Sequence, residues 1–266
     1  MAEPILTQRR ATTLRLPGTE VRLTAHPQTA AEQLLNTSTI WLALMAYWAL
    51  ADALITIFPP GGREVPPDGW LTHLLLTLVG LGVAWCMHRT DFPAAWDTRT
   101  PAHRRLLLPM LVGSAFGLLA IGMELYTGTL ENLEATTGPM TVAFPGSLLV
   151  YSAGAITMEI VFLLLPLPPL LWLISVVLFR GHGQTPTFWA LAVLSAAAEP
   201  LLQGTTVVMA AEGTIGLLAI GLYAIHGFAF NFTAVALFRR YELLAPILVR
   251  LGHYMIWHVV YGNFFL

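Results

Sequence analysis

The chain has 266 residues, of which 56% are apolar and only 11% charged, with a net charge of −2. Soluble domains carry about 25% charged residues, so this composition excludes an ordinary water-soluble globule. The near-neutral balance also excludes the electrostatic footprint of a nucleic-acid partner. The apolar excess falls into runs of about 20 residues or more, the length that crosses roughly 30 Å of hydrocarbon.

Residues 1–37 hold Arg9, Arg10, Arg15 and Arg22 but no apolar run, so they read as a polar cytoplasmic arm without a cleavable signal peptide. Residues 38–266 read as the transmembrane domain. Its apolar segments fall at about 38–58, 70–88, 106–126, 147–179, 187–209, 214–238 and 243–265. The segments are apolar nearly all round, which separates them from the amphipathic helices of a soluble core. The single cysteine, Cys86, lies in the second segment and rules out an internal disulfide or a cysteine-based metal site. The fourth segment, 33 residues long, would reach about 50 Å as one helix. Pro166, Pro168 and Pro169 fall within it, and proline removes a backbone donor and clashes with the preceding turn. A membrane helix to about 165 is therefore expected, followed by a shorter interfacial helix from 169 to 179. The fold class expected is an all-α membrane bundle of about seven transmembrane helices plus that interfacial helix.

Arginine placement orients the chain. With the N-terminus inside, the inner loops hold Arg89, Arg99, Arg104, Arg105, Arg180, Arg239 and Arg240. The outer loops hold Arg63 together with Glu64, Asp68, Glu131, Glu134 and Glu212. This satisfies the positive-inside rule at every loop and puts the C-terminus outside, as for a bacterial inner-membrane protein. Trp41, Trp70, Tyr126, Trp189 and Phe264 sit at segment ends, where interface anchoring accounts for them. There is no internal repeat, phosphate loop, nucleotide fingerprint or zinc-protease motif.

Polar groups at membrane depth are the informative exceptions, since each ionisable one costs about 2.5–3.5 kcal/mol to insert. Asp52, Glu159, Glu199, His226, Arg250, His253 and His258 are of this kind. His73 and Glu124 lie closer to span ends, where reaching the interface accounts for them. Ser195, Glu199, Gln203 and Thr206 share one helical face, and Arg250, Tyr254, His258 and Tyr261 share another. Ser152 stands seven residues before Glu159, and Asn231 five after His226. Lipid cannot satisfy such stripes, so they are expected to face one another within segments four to seven. A buried ion pair between Arg250 and Glu159 or Glu199 is the structural reading. For Asp52, beside Trp48, it is a helix–helix hydrogen bond, and for His226, beside Gly227, close helix packing.

Two stretches carry a resemblance. "AGAITMEIVFLLLP" (Ala153 to Pro166) resembles the E-E-x-x-x-R motif of the CAAX-prenyl-protease and bacteriocin-processing membrane family, called CPBP or Abi. "ALFRRYELLAPILVRLGHY" (Ala236 to Tyr254) resembles the family's late A-P-I-L-x-H stretch. "VLSAAAEPLLQG" falls between them, near the family's F-x-x-x-H. The resemblance covers about residues 145–260. It implies the family fold and a site where a glutamate activates water and histidines support transition-state charge. Glu159 matches the second glutamate and would be the base, with His253 or Arg250 as stabiliser. However, Met158 replaces the first glutamate and Leu163 the arginine. Ser195 and Glu199 replace the phenylalanine and histidine. Counting from Pro246 puts Arg250 at the last histidine and Tyr254 at the asparagine. Shifting by three brings in His253 but places Trp257 at the asparagine.

With these departures the resemblance implies a retired active site, and hence a non-catalytic protein that serves as a structural subunit beside other membrane-protein subunits. Two other readings stand beside it. One is an intramembrane CAAX-type peptidase centred on Glu159. The other is a pigment- or haem-binding subunit with His226, His253 or His258 as axial ligands.

Overall fold

The computed structural model describes residues 14–16, 19–21, 28–60, 69–96, 100–130, 141–210 and 216–265. Arg9, Arg10, Arg22, Arg63, Glu64, Asp68, Arg99, Glu131, Glu134 and Glu212 lie outside the described residues. A short antiparallel pair, β1 (Leu14–Leu16) and β2 (Thr19–Val21), comes first. The rest is helical: α1 (Ala30–Ile57), α2 (Trp70–Arg89), α3 (His103–Thr127), α4 (Gly146–Leu178), α5 (Gln184–Ala210), α6 (Leu217–Arg240) and α7 (244–264). Five of these, α1 to α4 and α6, are long and apolar enough to cross a membrane. Leu74, Leu75 and Leu78 of α2, and Leu111, Leu118 and Leu125 of α3, point outward. That is the exposure expected of helices solvated by lipid.

The first helix begins well before the apolar run at 38. Thr29 and Glu32 close a capping box, in which the Thr29 hydroxyl accepts from the Glu32 N–H and the Glu32 carboxylate accepts from the Thr29 N–H. Two otherwise orphan donors are satisfied, so the helix starts at Ala30 without apolar help.

The expected break at Pro166 is absent, and α4 runs on through Leu178. Its backbone widens instead. The Leu165 N–H donates to the Ile160 carbonyl five residues back, at 2.9 Å, and the Phe179 N–H to Ile174 in the same way, also at 2.9 Å. Pro166 cannot donate to Phe162, but the Ser195 hydroxyl of α5 reaches that carbonyl at 2.6 Å. The orphan left by the proline is thus served from the next helix, and the interfacial helix expected over 169–179 is the continuation of α4. Ser195→Ala should therefore destabilise the protein by about 1–3 kcal/mol, the cost of a buried unsatisfied carbonyl, read as a lower midpoint of thermal unfolding in detergent. Pro200 in α5 sets the same problem at Ala196, whose carbonyl is approached by the Asn231 amide nitrogen at 3.5 Å.

The helix α4 is the hub, packing on α1, α2, α5 and α7. Ile160, Leu164, Leu167 and Leu171 are fully buried along it, against Trp41 and Trp48 of α1 and Phe188 of α5. The other seam joins α3 to α7, where Gly113 lies against the Val249 backbone and Gly252 against Met110. Small residues let two backbones approach closely, which is how helices associate without a hydrophobic drive between them. The sequence reading placed the polar centre within segments four to seven. The helix α3 packs onto that bundle as well, because those glycines bring it onto α7.

Candidate functional site

Charge decides where Arg250 goes. A guanidinium stays ionised at any ordinary pH, so a buried one must find carboxylates. Arg250 is 2% exposed, as is Glu159. Its Nε–H donates to Glu159 Oε1 at 2.7 Å. Its Nη1 donates to Glu199 Oε1 at 2.8 Å, and its Nη2 to Glu199 Oε2, a two-pronged fork. Nη2 also donates to Asn231 Oδ1 at 3.0 Å. Four helices, α4, α5, α6 and α7, thus send one side chain each to a single point. Bidentate carboxylate–guanidinium pairs are the strongest and most geometrically selective of these bonds. The rings of Phe230 and Tyr254 lie 5.1 and 5.9 Å from the guanidinium carbon and complete its shell.

The cluster therefore joins Glu159, Glu199 and Arg250, with Asn231 as a bridge whose other end serves Ala196. Asn231 entered the sequence reading only as a loose companion of His226. The signal that would have found it is Pro200, which leaves a carbonyl in need of a donor from a facing helix.

The histidines pack around the two rings that flank Arg250, His226 and His253 on Phe230 and His258 on Tyr254. His226 Nε2–H donates to the Phe116 carbonyl at 3.0 Å and its ring lies parallel to Phe230. His253 packs between Phe230 and His226, at ring separations of 5.0 and 5.6 Å. Its Nδ1 is buried without a hydrogen-bond partner. His258 lies flat on Tyr151 at 4.4 Å and edge-on to Tyr254 at 5.1 Å. His226 and Arg250 share the Phe230 ring, which lies 6.4 Å from the imidazole and 5.1 Å from the guanidinium carbon. Among the described residues no group of three His, Cys, Asp or Glu could hold a metal ion.

The remaining polar positions have local employments. Ser152 bonds the Leu148 carbonyl at 2.6 Å and the Tyr47 hydroxyl of α1, away from the cluster. Gln203 reaches Met158 Sδ at 3.2 Å, and the side chain of Thr206 lies outside the described residues. Glu124, near the end of α3, is 4% exposed. It accepts from the Leu130 N–H at 2.8 Å and the Tyr223 hydroxyl at 3.0 Å, pinning α3 to α6. His73 stacks at a tilt on Trp48, 4.5 Å away.

A second polar cluster escaped the sequence reading. Glu242, in the turn before α7, is fully buried. It accepts from the Trp96 N–H and lies 3.6 Å from Arg105, which covers the Trp96 ring. Arg239 donates to the Thr90 carbonyl at 2.7 Å and lies over Phe92 and Phe188. Two of the arginines counted as inner-loop charges are therefore structural ties. Comparison with protein families, with curated proteins and with solved structures gave no match to this chain.

Proposed function

We propose that this is a CPBP-like integral membrane protein that performs no hydrolysis and acts as a structural subunit of a bacterial inner-membrane assembly. The observation that carries the reading is that both carboxylates able to act as a base are engaged by one arginine. A general base must accept a proton from water within hydrogen-bond reach. Glu199 has both oxygens in the Arg250 fork. Glu159 faces the Nε–H, and its side chain is only 3% exposed. An oxygen that accepts from a guanidinium N–H has that lone pair occupied and is held away from an attacking water. The altered peptidase has the opposite requirement, a glutamate free to meet substrate.

In this reading α5 and α7 are the two further spans, with their polar faces turned to the cluster. The N-terminus is cytoplasmic and the C-terminus outside. Reporter fusions after Arg105 and Arg240 should read inside, and a fusion after Thr129 outside. The pigment- or haem-binding alternative has one observation in its favour, the unpartnered His253 Nδ1. His226 Nε2 is held by the Phe116 carbonyl and the His258 ring stacks on Tyr151, and an absorption spectrum of protein from native membranes decides the reading.

The subunit role is tested by purification from native membranes in mild detergent. A defined set of membrane proteins should co-purify, and Glu159→Gln should leave that set unchanged. A lone chain in such preparations overturns the subunit role.

A further inference from the structure

The charges of the Glu159–Glu199–Arg250 cluster do not balance. Two carboxylates meet one guanidinium, and a guanidinium supplies a single positive charge. Among the described residues no other cation lies within ion-pair reach of either carboxylate, and none of the three has a further ionic partner. Asn231, Phe230 and Tyr254, the other groups on Arg250, bring no positive charge. His253 does not supply it either. An imidazolium carries an N–H on both ring nitrogens, and the buried His253 Nδ1 has no acceptor for one. His226 and His258 are turned to Phe116 and Tyr151.

The excess negative charge lies well inside the helices. Glu159 is roughly 20 Å along α4 from Gly146, and Arg250 roughly 9 Å along α7 from Leu244. Two carboxylates sharing one buried point disfavour each other's ionised form, and an uncompensated buried charge is expensive. The hydrogen bonds show which carboxylate is left over. Both oxygens of Glu199 lie in the Arg250 fork, and Glu159 Oε1 takes the Nε–H. The fourth oxygen, Glu159 Oε2, receives no hydrogen bond from any described residue. It belongs to the more enclosed of the two side chains, 3% exposed against 12% for Glu199. A metal cation needs several converging ligands, and among the described residues no group of three His, Cys, Asp or Glu offers them. A proton needs only the one bare oxygen.

We propose that the cluster binds one proton at neutral pH, held on Glu159 Oε2. Glu159 is then a neutral carboxylic acid that accepts from Arg250 through Oε1, while Glu199 carries the charge that Arg250 balances. The proton comes from water, and the loaded cluster is neutral overall. The proposal stands apart from the subunit role, which is read by co-purification, whereas the proton is read spectroscopically on the purified chain.

The test uses the full chain in liposomes at neutral pH, read by infrared difference spectroscopy. A protonated carboxylic acid has a carbonyl stretch distinct from that of an ionised carboxylate, and it shifts on exchange into heavy water. Subtracting Glu159→Gln from wild type cancels the other carboxyl groups, Asp52, Glu124 and Glu242 among them, and should leave one acid band. Glu199→Gln should lose that band too, because Arg250 then has Glu159 alone as its counter-ion and the proton leaves. Simple burial of Glu159, without the charge balance, would keep the band in Glu199→Gln. Glu159→Gln exchanges one neutral group for another of the same shape, so its helix content and melting midpoint should match wild type. No difference band, an acid band that survives in Glu199→Gln, or a Glu159→Gln protein that fails to fold overturns the proposal. A band displaced by sodium chloride also overturns it and assigns the site to a metal cation.

Discussion

Gly252→Val should prevent the protein from folding stably in mild detergent. A Cβ at position 252 would lie 2.2 Å from the Met110 carbonyl oxygen and 2.9 Å from the Ser114 nitrogen. Both are backbone atoms, so no side-chain rotation relieves the overlap. The helices α3 and α7 would have to separate, and α7 is the element that delivers Arg250 to its two carboxylates. Ordinary overpacking costs about 1–3 kcal/mol, and a backbone clash across a helix seam should exceed that range. Gly113→Val should act alike, since its Cβ would lie 1.8 Å from the Val249 oxygen. Gly122, on the same helix with nothing within 4 Å, supplies the control. Gly122→Ala should be neutral or should stabilise by up to about 1 kcal/mol through helix propensity. Thermal unfolding of the three variants reads the contrast, and equal effects at 113 and 122 would contradict the close seam.

Arg250→Met should cost about 3–5 kcal/mol, the penalty for leaving buried charge uncompensated. Two carboxylates would remain at one point with no cation between them. Arg250→Met with Glu199→Gln should be less damaged than Arg250→Met alone, and adding Glu159→Gln should recover most of the loss. Replacing a whole buried ionic group is often nearly neutral, whereas removing one partner is not. Such non-additivity is the signature of direct contact. Strictly additive melting shifts would mean that the three groups do not share one site.

The helical segments and their order were legible because apolar length is a direct physical requirement of crossing lipid. So was the need of Arg250 for a carboxylate, since the cost of a buried charge does not depend on fold details. It was not legible that Arg250 would take both Glu159 and Glu199. That depends on the register of α4 and α5, which the wide turns of α4 alter. The same wide turns, together with Ser195, carry α4 through the prolines. Proline's local rule was sound, and a hydroxyl on another helix met its demand. Glu242 escaped because it lies between apolar runs, where a carboxylate normally meets water. Only the fold shows it closed in by Trp96 and Arg105.

The most direct test of the central claim is proteolysis. Purified protein is reconstituted in liposomes with a membrane-tethered peptide, and cleavage is followed by mass spectrometry. The expected result is no product above the level of empty liposomes, with wild type and Glu159→Ala indistinguishable. A product formed by the wild type and lost in Glu159→Ala, with the variant's helix content intact, would contradict the claim and make Glu159 a working base.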